Sequence, residues 1–276
     1  MRDCLVKRDT HRTRQSGFTL IELSIVLVIL GIIITMGVEF AHSARDHRRF
    51  KTTETKLSTI EEALVLYAAR HRRLPCPADA TSGTGSAHSM LSGNDVTGCA
   101  NDQRRGIVPW IDLGLPKDAA IDGWGNFITY RVHADAAMDG TGSCTNISLD
   151  TRGVDLQNCQ PGSSELEARL EIGLLILDGV GGNPVMDPDE LTGAAYVLIS
   201  HGSNGFGAYS ATGSYRAFAA NPNAAEQRNA NNNPLGGNGN SDAYIDGRLG
   251  TFDDLVRHAS IMQVAWRANL RPRATP

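Results

Sequence analysis

Nowhere in its 276 residues does the chain place two cysteines at Cys-x-x-Cys spacing, so the usual zinc-binding pattern is missing. His42, His47, His71, His88, His133 and His258 show no metal-ligand spacing either. Ser200-His201-Gly202-Ser203-Asn204-Gly205 sets a serine among glycines but lacks the Gly-x-Ser-x-Gly order of a nucleophile elbow, and no helical pattern follows it. It reads as a strand end entering a turn. Gly179-Val180-Gly181-Gly182 runs on into Pro184 and Pro188, where a dinucleotide site needs a helix start to hold the pyrophosphate. Positive charge is scarce: 26 basic side chains stand against 30 acidic ones. That balance argues against general binding of nucleic acid, which needs cations to displace counterions. No proline occurs before Pro75, and there is no internal repeat.

What the chain does have is one long apolar run, from Phe18 to about Val38. As a helix, about 20 residues match the roughly 30 Å hydrocarbon core of a bilayer. One charge interrupts the run, Glu22, and a carboxylate in lipid normally has a partner. A basic segment precedes it, with Arg2, Lys7, Arg8, Arg12 and Arg14 against Asp3 and Asp9. Positive charge on that flank keeps it cytoplasmic and sends the rest of the chain outward. An ordinary signal peptide would instead end in a small-residue cleavage site, for which only Ala41-His42-Ser43-Ala44 offers itself. Such a signal explains neither Glu22 nor Gly17 standing before Phe18.

Gly17-Phe18-Thr19-Leu20-Ile21-Glu22-Leu23 after a short basic leader resembles the class III signal of type IV prepilins and type II secretion pseudopilins. The resemblance implies cleavage by a prepilin peptidase after Gly17 and methylation of the new N-terminus at Phe18. It also implies that Glu22 pairs with the N-terminal amine of a neighbouring subunit during assembly, which would compensate the carboxylate. Neighbouring pilin-like subunits, the filament assembly platform and the inner membrane are the implied partners. The implied location is a single-pass inner-membrane protein with an exported C-terminal part, then a periplasmic or surface filament.

Removing residues 1–17 as a leader peptide leaves 21 basic and 28 acidic side chains, and four cysteines. An even number in an exported domain reads as disulfides. Three pairings of Cys76, Cys99, Cys144 and Cys159 are possible. Cys76–Cys99 and Cys144–Cys159 are favoured, since each closes a loop of Gly, Ser, Asn and Asp with little core of its own.

From Glu39 to Arg73 the pattern stays helical, with Phe40, Ala44, His47, Phe50, Leu57, Ile60, Leu64 and Tyr67 near helical spacing. Pro75 and Pro77 end it. The sequence therefore predicts one helix of about 56 residues, roughly 80 Å long. Its membrane half is residues 18–38 and its amphipathic half residues 39–74. Residues 75–276 form the globular head. Residues 78–106 read as a loop. Asp122-Gly123-Trp124-Gly125 before an aromatic strand at 127–132 resembles the turn-strand of the major pseudopilin family. Further strands are expected at 170–177 and 194–200, making with 127–132 an antiparallel sheet on the helix, a pilin-like α+β fold. Residues 202–248 read as a long loop, and 251–265 as an element of open type. The major pseudopilin resemblance also implies calcium in a C-terminal loop, here with Asn204, Asp253 and Asp254 as candidate oxygen donors. Asn238-x-Asn240-x-Asp242 starts like an EF-hand but lacks its later glycine and glutamate.

The expected function is thus structural: a minor pilin or pseudopilin, with no catalytic residue. The competing class is a membrane-anchored exported enzyme or binding protein.

Overall fold

The computed structural model describes residues 19–71, 73–87, 99, 105–133, 173–179, 182–187, 190, 192–218, 224–231, 243–247 and 252–270. Side chains of residues 35–43, 105 and 231 are not among them. The chain divides into two compact units, Met1–His47 and Arg48–Pro276.

A helix, α1, runs from Leu20 to His71. It starts two residues later and ends two residues earlier than the expected Phe18–Arg73, before the prolines. In the second unit its apolar spacing is used directly. Leu57, Ile60, Leu64 and Ala68 are fully buried against the sheet. Each large aliphatic side chain among them contributes about 1.5–3 kcal/mol relative to exposure. His47, placed on the apolar stripe by spacing, is exposed instead. The turn at 122–125 grips this helix through Gly123. Its N–H donates to Thr53 Oγ1 at 2.9 Å, and a Cβ there would run into the Arg49 backbone. Lys56 Nζ adds hydrogen bonds to the Asp118 and Ile121 carbonyls, both at 2.8 Å.

A four-stranded antiparallel sheet lies on α1. Its strands are β1 (Arg105–Ile107), β2 (Thr129–Val132), β5 (Ala194–Ser200) and β7 (Leu255–Ser260), in the order β1-β2-β5-β7. All seven residues of β5 are buried, because both its faces are covered. Tyr196 and Leu198 join the core with α1. Val197 and Ile199 join a second core with Leu174, Ile176, Tyr244 and Val256. An unbroken apolar run rather than an alternating one is what such a strand needs. Tyr130 and Tyr196, both buried, anchor their hydroxyls on the Pro75 carbonyl and on Glu61.

The second core is closed by a smaller sheet of β3 (Leu175–Asp178), β4 (Pro184–Met186) and β6 (Ala243–Asp246), in the order β4-β3-β6. Here the expected arrangement is corrected. The strand expected at 170–177 is not hydrogen-bonded into the main sheet as a named strand, but pairs in parallel with β6. The loop expected at 202–248 contains both β6 and a helix, α2 (Ala224–Asn231). The segment of open type resolves into β7 and a short helix, α3 (Ile261–Arg267), started by a Ser260–Gln263 capping box. The fold is α+β.

Cys76 and Cys99 are bridged and buried. Cys144 and Cys159 lie outside the described residues.

Candidate functional site

Two places collect the residues of interest. The first is the start of α1. Thr19 is its N-cap and Glu22 occupies the third helical position. The Glu22 carboxylate accepts from the Thr19 N–H and hydroxyl, each at 2.8 Å, and the Glu22 N–H donates to Thr19 Oγ1 at 3.3 Å. This is a capping box, which satisfies donors that a helix start otherwise leaves open. The signature Thr-x-x-Glu stands in the sequence, beside the partner amine that the prepilin resemblance implies for the same glutamate. The structure gives Glu22 a role within its own chain as well. Gly17 and Phe18 lie outside the described residues.

Behind the cap, every described side chain up to Ile34 is exposed. Leu20 is 87% exposed and Ile34 62% exposed. A helix that is apolar all round requires apolar surroundings, from lipid or from other helices. The described side chains of this part end at Ile34, and among the described residues no helix is long and apolar enough to cross a membrane.

The second place is in the head, where β5 ends. Gly202 has φ +56 and packs against Asp253 so closely that a Cβ would overlap it. The turn it makes aims backbone donors at one carboxylate. Asp253 Oδ2 accepts from the Ser203 N–H at 2.6 Å, the Ser203 hydroxyl at 2.7 Å and the Asn204 N–H at 3.1 Å. Asn204 then uses both ends of its amide. Its Nδ2 donates to Glu226 Oε1 at 2.9 Å, and its Oδ1 accepts from the Phe206 N–H at 2.9 Å. Asn229 Nδ2 on α2 donates to Asp254 Oδ2 at 2.9 Å. Asp122 Oδ2 accepts from the Ser200 hydroxyl at 2.8 Å, while its Oδ1 takes the Trp124 and Asn126 N–H groups.

One row has the order of a hydrolase. Thr129 Oγ1 shares a hydrogen bond of 3.0 Å with His201 Nε2, and His201 Nδ1 faces Asp254 Oδ1 at 3.8 Å. Hydroxyl, imidazole and carboxylate stand in line, as nucleophilic catalysis requires. All three are buried, at 4%, 0% and 2% exposure. A substrate would have to reach Thr129 Oγ1, and the fold encloses it. The row joins β2, β5 and the approach to β7, which is a structural task.

The calcium expectation meets a partly spent set of donors. Asn204 Oδ1 and Asp253 Oδ2 already have protein partners. Asp253 Oδ1 and Asp254 Oδ1 are buried with no hydrogen-bond partner. Calcium takes six to eight oxygens. Among the described residues no group of three or more His, Cys, Asp or Glu side chains could hold a metal ion.

Burial pushes the Asp254 carboxyl well above the usual carboxylate range; Asn229 opposes this, and the nearby Glu226 and Asp253 carboxylates add to it. Glu226 is raised in the same way, first by burial. The folded chain therefore holds protons that the unfolded chain has released. Stability from this cluster is highest near and below pH 4, where unfolded carboxyls titrate, and falls as pH rises towards the raised folded values. Asp254→Asn cannot ionise. Its thermal midpoint, followed from pH 4 to 8, is expected to fall less steeply than that of the unaltered chain, with a residual slope from Glu226. Parallel curves would show that Asp254 ionises alike in both states.

The Prokaryotic N-terminal methylation motif matches residues 12–38. Over 120 residues the chain is 29% identical to Type II secretion system core protein G of Pseudomonas aeruginosa, an alignment covering 44% of this chain and 75% of that relative. No solved structure matches the chain.

Proposed function

We propose that the chain is a prepilin- or pseudopilin-like structural subunit of a type II secretion or type IV pilus-like filament, a reading supported by the methylation motif at residues 12–38 and by the similarity to a type II secretion core protein. The observation that carries this most directly is the start of α1. An acidic residue inside a fully exposed apolar helix face makes sense where other helices or lipid surround it. Neighbouring pilin-like subunits are the partners of that face. In this reading Gly17 is the residue before the cut, Phe18 the methylated N-terminus, and Glu22 the group that meets a neighbour's amine. A prepilin peptidase, the assembly platform and the inner membrane complete the set of partners. The size of the head favours a minor subunit.

The mature protein is expected to begin at Phe18, carrying one added methyl group. N-terminal sequencing and mass spectrometry of the purified chain test this. A chain starting near Ala44, or an uncut Met1, would sink the reading. A bulky residue at Gly17 should block the cut.

Among the described residues, Asp253 Oδ1 and Asp254 Oδ1 are the buried carboxylate oxygens without a hydrogen-bond partner, and a calcium ion would enter there. Millimolar calcium is expected to raise the thermal midpoint and a chelator to lower it if that ion sits there. An unmoved midpoint would leave the loop fastened by hydrogen bonds alone.

A further inference from the structure

We draw no further inference here: the strongest candidate, the exposed surface patch of Met262 and Trp266 on the short helix α3, carries nothing because nothing in the structure shows what covers it.

Discussion

Asn229→Ala is expected to cost the head about 3–9 kcal/mol, a large share of the roughly 5–15 kcal/mol that holds a domain folded. Asn229 is fully buried on α2. Its amide meets the backbone of Ile245 on β6 at both ends, accepting from the N–H at 2.8 Å and donating to the carbonyl at 3.1 Å. Its Nδ2 also reaches Asp254 Oδ2 at 2.9 Å. One side chain thus stands where an edge-strand partner would stand, and it fastens the approach to β7 as well. Truncation leaves a backbone N–H, a carbonyl and a carboxylate oxygen without these partners, each worth about 1–3 kcal/mol when buried. Urea unfolding of the detergent-solubilised chain measures the loss. Asn229→Asp separates the two halves of the argument. It keeps an acceptor for Ile245 but sets a second carboxylate against Asp254. It is expected to be strongly destabilised at pH 8 and to recover part of the loss at pH 5. A loss below about 1 kcal/mol for Asn229→Ala would show that water or another group fills the place.

This network also marks where the sequence stopped being readable. α1 could be read because Leu57, Ile60 and Leu64 recur at three and four residues and Pro75 stops the run; the next buried position is Ala68 and not Tyr67, which is half-buried. β5 could be read because a strand buried on both faces must be an unbroken apolar run. α2 gives no such signal. Its sequence, Ala-Ala-Glu-Gln-Arg-Asn-Ala-Asn, turns Glu226, Asn229 and Ala230 inward. A helix whose buried face is mostly polar has no apolar stripe to count. β6 is four residues, Ala-Tyr-Ile-Asp, inside a tract of glycine and asparagine, and its pairing is with β3 some 70 residues away. Its discovery changes the place of β3 too, since parallel pairing depends on a partner that local pattern did not reveal. At the site, Asp253 and Asn204 carry oxygens that suit a calcium ion. Their actual use, catching backbone N–H groups, depends on the turn at Gly202, which no spacing rule encodes. The Thr19–Glu22 cap, by contrast, was fully spelled out and lost only to a competing explanation of the same glutamate.

That competition can be resolved, because one substitution keeps the cap and removes the charge. Glutamine is as good as glutamate at the third position of a capping box, so Glu22→Gln retains an acceptor for the Thr19 N–H and hydroxyl. It has no charge to offer an amine. Glu22→Ala loses both functions, and Thr19→Val loses the hydroxyl partner while leaving the carboxylate. If Glu22 acts by meeting a neighbour's N-terminal amine in an apolar setting, an uncompensated charge is what assembly removes. Glu22→Gln is then expected to enter the membrane and be cleaved as the unaltered chain is, yet to fall tenfold or more in filaments. Glu22→Ala should fall as far, and Glu22→Lys further, since it sets two positive charges together. Thr19→Val should fall least. The measured quantity is the ratio of each variant in sheared filaments to its level in membranes. The opposite pattern, with Glu22→Gln entering filaments normally while Glu22→Ala and Thr19→Val fail together, would assign Glu22 to its own helix. The amine partner would then have no part in its function.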